Sequence, residues 1–343
     1  MELVFTFVGT MVGAGFASGQ EIRKYFADFG GYGIIGIIFV SILFIVIGEK
    51  IMLMGYLRKA ESYNEILGYG FKCRFRKAID YCLCFFLVAT ASTMFSGTGA
   101  FLNQALGLNY AVGSLIMAVI TFLIVIIGIK RIMKISTFIV PLLIFFTCAI
   151  SVLSLWNVNI GELTLIHEIK YKDTFFALLS SLIYGSYNIT MGLSILPSLG
   201  SSAKNEKEIR IISVFSGIII GIFGCIIYFA LLANYDKIQE VEIPIAVLAG
   251  NSYSIIYGIS FLIAVLTTAV GCMYGIYTRF NKNILGFAFI CLNGYFISLF
   301  GFSVLVARLY YVMGIFGVFL IAMLLRGYNF SRNKHAYHSK NND

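Results

Sequence analysis

The chain has 343 residues, 59% of them hydrophobic and only 12% charged, with a formal net charge of +9. Ordinary soluble domains carry roughly 25% charged residues, so a water-facing surface of the usual kind is excluded and the composition is that of a membrane protein. The basic residues fall in short clusters between apolar runs, which excludes the continuous basic face of a nucleic-acid binder.

Residues 81–129, 174–203 and 243–278 contain no charged residue. A membrane-crossing helix needs about 20 apolar residues. Long runs without alternation predict helices rather than barrel strands, because in lipid the backbone must satisfy its own hydrogen bonds. Ten spans are predicted, at about 3–26, 31–54, 77–106, 111–129, 135–155, 174–199, 209–233, 252–278, 284–301 and 303–325. They form one transmembrane domain over residues 1–326, with no room for a soluble domain, and residues 327–343 read as a frayed cytoplasmic tail. No cleavable signal peptide is read, since the first apolar run ends in Gln20, Glu21, Ile22, Arg23 and Lys24 rather than in small residues.

The first span holds Gly9, Gly13, Gly15 and Gly19. Gly9 and Gly13 lie one turn apart on one face, as do Gly15 and Gly19 on a face about 200° round from it. One reading is close helix packing on two sides. The other is a break in the helix at residues 12–15, with bare carbonyls and amides turned to a polar cavity. Glu21 reads either as an interfacial partner of Arg23 or Lys24, or as a proton-coupling carboxylate.

The loop after the second span carries Arg58, Lys59, Lys72, Arg74, Arg76 and Lys77. Lys130, Arg131 and Lys134 follow the fourth span, Lys204, Lys207 and Arg210 the sixth, and Arg279 and Lys282 the eighth; the tail adds Arg326, Arg332, Lys334 and Lys340. The alternate loops are poorer. Positive residues mark the cytoplasmic side, so the expectation is a multi-pass protein of the cytoplasmic membrane with both termini inside. Arg308, one turn into the tenth span, reads as snorkelling or as a gate charge.

Residues 90–99 of the third span read either as cavity lining or as close packing. Residues 184–192 of the sixth span are a second candidate break. Their charge-free run is 30 residues, about 45 Å as straight helix against a hydrocarbon core of about 30 Å. Tyr184, Ser186, Tyr187, Asn188 and Thr190 crowd its middle beside Gly185 and Gly192, the pattern of a lined cavity. Interrupted helices at corresponding positions of two five-helix halves point to a transporter site at the midplane. In the eighth span, Thr267 and Thr268 read as back-bonding hydroxyls or as ligands for a small hard cation. The seven cysteines are scattered and read as apolar fillers. The three histidines, His167, His335 and His338, show no metal-ligand spacing.

These residues resemble the amino acid–polyamine–organocation superfamily, whose members share the LeuT-type fold, and the stretch VGAGFASGQE resembles the YkvI-type membrane proteins. The resemblance implies an all-α integral membrane protein with about ten helices in a 5+5 inverted repeat, the halves covering about 3–155 and 174–325, with helices 1 and 6 discontinuous. In sodium-coupled members two glycines flanking one residue mark the unwound segment, which Gly13, Ala14 and Gly15 match. Their sodium site falls by position on Gly9, Val12, Ala264, Thr267 and Thr268. Some sodium-independent relatives place a lysine in the fifth span, and residues 135–156 contain none.

The expectation is a non-enzymatic secondary transporter of a small solute, an amino acid or related amine, coupled to sodium and working by alternating access. Its substrate would be held by Gly13, Ala14, Gly15, Phe16, Ala17 and Ser18 on the first span and by Tyr184, Gly185, Ser186, Tyr187 and Asn188 on the sixth. Sodium is the only cofactor implied; the partners are the solute and the lipid bilayer. Proton coupling through Glu21, and a non-transporting sensor of the germinant-receptor type, are the alternatives.

Overall fold

Lipid offers the backbone no partner, so apolar runs close their own hydrogen bonds as helices. A computed structural model of the chain describes residues 2–60, 66, 73–127, 130–156, 173–280 and 282–340. Lys72 and His167 lie outside them, as do the side chains of Arg74, Arg76, Lys130, Arg131, Lys134, Arg332, Lys334, His335, His338 and Lys340. The first span is three pieces, α1 (Glu2–Met11), α2 (Ala14–Ala17) and α3 (Gln20–Tyr25). A 3-10 turn (Ala27–Tyr32) leads into α4 (Gly33–Arg58), α5 (Cys73–Leu106), α6 (Tyr110–Ile127) and α7 (Lys130–Trp156). Then come α8 (Thr174–Gly192), the short α9 (Leu196–Ser201), α10 (Glu206–Ala233), the single turn α11 (Tyr235–Ile238), α12 (Pro244–Arg279), α13 (Ile284–Ser298) and α14 (Phe302–Lys340).

Among the described residues, six helical segments are long and apolar enough to cross a membrane, namely Ala27–Arg58, Lys77–Leu106, Tyr110–Ile127, Glu206–Ala233, Ile255–Arg279 and Phe302–Arg326. Glu2–Met11, Pro141–Trp156 and Ile284–Ser298 are shorter apolar helices. Polar residues crowd the second half of α8, which keeps it out of the first group. On α4, Ile37, Val40, Phe44, Ile47 and Ile51 are buried, yet the opposite face is equally apolar, with Ile35, Ile38, Ile42 and Val46 exposed. A helix apolar all round, with one face bare, is facing lipid. The last helix runs on through the polar segment after Arg326 to Lys340.

The helices sort into two packing groups. In one, α4 packs on α8, α9 and α10, and α1 packs on α8, α9 and α10. In the other, α5, α6, α7, α12 and α13 pack among themselves. The groups meet where α10 touches α7, where α2 touches α7 and α12, and through α14, which lies on α8 and α5.

Without a hydrophobic drive between helices, association in lipid rests on close packing, and small residues permit it. A methyl group at Gly200 of α9 would run into the Met52 carbonyl oxygen of α4, and one at Gly55 of α4 would run into the Pro197 carbonyl. These helices touch backbone to backbone. Gly200→Ala should therefore lower the unfolding temperature in detergent by several degrees, in line with about 1–3 kcal/mol for forcing atoms into a packed core. Gly31→Ala, where an added methyl meets nothing within 4 Å, should leave it unchanged. Thermal scanning of the two purified variants beside the parent checks this.

Candidate functional site

The interruption of the first span has two steps. Helix α1 ends at Met11, and Val12 and Gly13 are not helical. Gly13 has φ −90° and ψ −176°, extended backbone that any residue adopts, and α2 begins at Ala14. The second step falls at Ser18 and Gly19. Gly19 has φ +80°, a left-handed geometry that favours glycine. The Val12 N–H still donates to Val8 at 2.8 Å, but beyond it no backbone N–H among the described residues reaches the carbonyls of Gly9, Thr10, Met11 or Val12. Four acceptors are thus left bare near mid-span.

The other half of the break is satisfied by protein. The Ala17 N–H donates to Gly13 and the Ser18 N–H to Ala14. The Ser18 hydroxyl donates to the Gly15 carbonyl at 2.6 Å and accepts from the Gln20 N–H at 3.1 Å. The Ala17 carbonyl accepts from the Tyr257 hydroxyl of α12 at 3.0 Å and from Thr147 of α7 at 3.4 Å. The amide of Ala17 and the hydroxyl of Ser18, expected to hold a substrate, are therefore taken up internally.

The sixth span stays helical through residues 184–192, the candidate second break. It turns instead at Leu193, Ser194 and Ile195, before α9 opens with Leu196 and Pro197. Its polar residues divide among three faces. Tyr187 and Tyr184 look to the first span. Gly185 sits against Leu43 of α4, and the carbonyl of Ser186 lies where a side chain at Gly317 of α14 would go. Asn188 and Thr190 back-bond to the carbonyls of Tyr184 and Ser186 at 3.0 and 2.8 Å. Thr267 and Thr268 likewise both donate to the Ala264 carbonyl at 2.9 Å. Helix α12 packs on α2, whereas α1 packs on α8, α9 and α10. The two halves of the expected ion set, Gly9 with Val12 and Ala264 with Thr267 and Thr268, thus lie on helices that pack in different groups.

Glu21 is not an interfacial partner of Arg23 or Lys24. It is buried, accepts the Tyr187 hydroxyl at 2.7 Å, and lies over Gly15, where any side chain would collide with its carboxyl. Tyr25, Tyr184, Tyr187 and Tyr310 stack in series, with ring centroids 5.4, 5.7 and 4.6 Å apart. Arg23 points elsewhere, donating to the carbonyls of Ile238 and Val241 and to the Ser303 hydroxyl. Around it residues 235–245 form a cover. Ile245 donates to the Ser18 carbonyl at 3.1 Å, and Gln104 of α5 bonds both ways with Ile243. Sequence reasoning missed Tyr25, Tyr257, Tyr310, Thr147 and Arg23 as members of this region. Tyr257 stands seven residues before Ala264, hence close to the same face, and that spacing was the available signal.

On the other side of the break, one face of the first span is exposed. Thr6 and Gly13 are exposed and Thr10 is half-buried, all on one face of the first span. Along the facing strip of α12 burial falls steadily. Tyr257 and Ala264 are buried, Thr268 is half-buried, and Gly271 and Thr278 are exposed. A methyl at either Gly13 or Gly271 would meet nothing within 4 Å. Protein hydrogen bonds close the interruption on the Arg23 side, and toward the start of α1 Thr6 and Gly13 are exposed.

No family model matches the chain. It is 29% identical over 341 residues, 94% of each chain, to the uncharacterised membrane protein YkvI of Bacillus subtilis (strain 168), and 26% identical over 95% of its length and 96% of the relative's to the uncharacterised protein YyaD of the same organism. Among solved structures it resembles the inward-facing conformation of Mhp1, with a TM-score of 0.71 and 14% identity over 97% of this chain and 77% of that one. It also resembles a substrate-bound, outward-open Na+-coupled sialic acid symporter (TM-score 0.62, 14% identity, 95% and 78% covered) and MhsT in complex with L-phenylalanine (TM-score 0.60, 16% identity, 95% and 86% covered). These structural neighbours are membrane transporters, not enzymes.

The two glycines of the break have opposite requirements. Gly19→Ala puts a left-handed residue at a cost of about 1–2 kcal/mol and sets its methyl 2.9 Å from Ile245, so the unfolding temperature should fall. Gly13→Ala keeps an allowed backbone and stiffens the unfolded chain, a gain of about 0.4–1 kcal/mol, so it should rise or hold. Thermal unfolding in detergent distinguishes the two. Along nearly its whole length the chain is similar to the YkvI membrane protein, and it has the fold of the LeuT-type transporters.

Proposed function

We propose that the protein is a secondary active transporter of a small solute, an amino acid or related amine, coupled to sodium and working by alternating access. The observation that carries this reading is the interrupted first span. Among the described residues its carbonyls from Gly9 to Val12 have no backbone donor, while those of Gly15, Ala17 and Ser18 are met by protein. A break of this kind is tolerated in lipid only where it lines a cavity, and in transporters such breaks hold substrate and coupling ion.

The ten spans would form a 5+5 inverted repeat, with halves at about 3–155 and 174–325. The loop charges put the start of α1 in the cytoplasm, so the conformation described here is inward-facing. The likeness to an inward-facing Mhp1 supports that assignment, and the phenylalanine complex of MhsT supports an amino acid as solute. Gly13, Ala14, Gly15 and Phe16, with Tyr184, Tyr187 and Asn188, would contact the solute. The Gly9 and Val12 carbonyls would supply sodium ligands once α1 closes on the Ala264, Thr267 and Thr268 strip of α12, completing the oxygen shell a hard cation requires. The sialic acid symporter is itself Na+-coupled, which supports this choice of ion.

Purified protein in proteoliposomes should accumulate at least one labelled amino acid or amine when a sodium gradient is imposed. Binding without flux for every solute that binds would make the protein a sensor instead. Thr268→Ala should reduce the sodium dependence of uptake about tenfold, the effect of about 1.4 kcal/mol. An unchanged sodium dependence in that variant removes the site.

A further inference from the structure

Glu21 is only 2% exposed, inside a bundle that crosses lipid. An ionised carboxylate in such a place is expensive unless a cation or several donors hold it. The Tyr187 hydroxyl donates to its carboxyl at 2.7 Å, and among the described residues no ion pair reaches it from a basic side chain. Arg23 is engaged by the carbonyls of Ile238 and Val241, and Lys24 pairs with Asp28 at 3.7 Å.

The elements packed on α3 bring tyrosines to this point rather than charges, Tyr184 and Tyr187 from α8 and Tyr310 from α14, beside Tyr25 of α3 itself. Asp28 lies in the 3-10 turn and accepts from Tyr235 at 2.9 Å. Tyr228 of α10 donates to Gly30. Helix α2 offers no titratable group. The space is also closed. Tyr187 and Tyr310 stack at 4.6 Å, and on its other side the carboxyl rests on Gly15, where not even a methyl group fits.

We propose that Glu21 is a proton-binding site and that sealing of the outer half of the protein requires its carboxyl to be protonated. One proton passes from hydronium to a carboxylate oxygen per closure: the carboxyl O–H bond forms as a hydronium O–H bond breaks, leaving water. The neutral acid still accepts the Tyr187 hydroxyl on one oxygen while its own O–H becomes a donor. Release of the contacts that residues 235–245 make with Ser18 and Arg23 would admit water to this end of the break and let the proton leave. Because the carboxyl rests on Gly15, two residues from the exposed Gly13, the proton site and the break move together.

The transport consequence rests on the alternating-access reading; the proton site does not, and it is tested apart. Infrared difference spectroscopy on the full chain in lipid at neutral pH should show the carbonyl stretch of a hydrogen-bonded carboxylic acid. The band should shift in D2O and be lost in Glu21→Gln. In Tyr187→Phe it should persist at higher frequency, since one hydrogen bond is gone. A parent protein without the band, or a band undiminished in Glu21→Gln, overturns the proposal. Should Glu21→Gln fail to fold, an unshifted band in Tyr187→Phe overturns it equally. The band without uptake of any solute leaves the proton site standing and removes the transporter reading.

Discussion

A helix that stops inside a lipid slab leaves backbone acceptors without donors, and each must be met by protein, by water or by an ion. In this protein the interruption of the first span is met differently on its two sides. Toward Arg23, the Ala17 carbonyl is taken by Tyr257 and Thr147, the Ser18 carbonyl by Ile245, and the Gly15 carbonyl by the Ser18 hydroxyl. Toward the start of α1, the carbonyls of Gly9, Thr10, Met11 and Val12 have no backbone donor among the described residues. That difference sets the two sides of the interruption apart.

The packing follows from the same constraint. Helices α1, α4, α8, α9 and α10 hold together through close backbone approaches such as Gly55 with Pro197 and Gly200 with Met52. Helices α5, α6, α7, α12 and α13 form the second group. Between the groups the contacts near the break are fewer and more polar, with the Tyr257 and Thr147 hydroxyls on one carbonyl and the Arg23 guanidinium on two. Polar contacts of this kind can be exchanged for water at modest net cost, whereas glycine-mediated contacts within a group cannot be slid without collision.

Much of the architecture was legible in the sequence, because hydrocarbon thickness and backbone satisfaction act residue by residue. Charge-free runs became helices, and the glycine-rich first span is interrupted where Gly13 and Gly19 stand. The site was less legible, because side-chain facing depends on partners that no local pattern names. Gly185 and Ser186 looked like cavity lining and instead let α4 and α14 approach α8. The turn in the sixth span fell at residues 193–195, just ahead of Pro197, because a helix stops readily before a proline, while back-bonded Asn188 and Thr190 sit comfortably within one. Glu21 was open between interface and interior. Its burial is decided by Tyr184 and Tyr187, more than 160 residues away along the chain.

In the proposed transporter, the break at Val12 and Gly13 lines an aqueous opening reached from the cytoplasmic face alone in this conformation. Gly13→Cys places a thiol there without collision, and a membrane-impermeant maleimide can be offered from either side of sealed vesicles, with modification read on the peptide containing residue 13 by mass spectrometry. The account predicts labelling in inside-out vesicles and protection in right-side-out ones. Protection on both sides, or labelling from the outside alone, would contradict it.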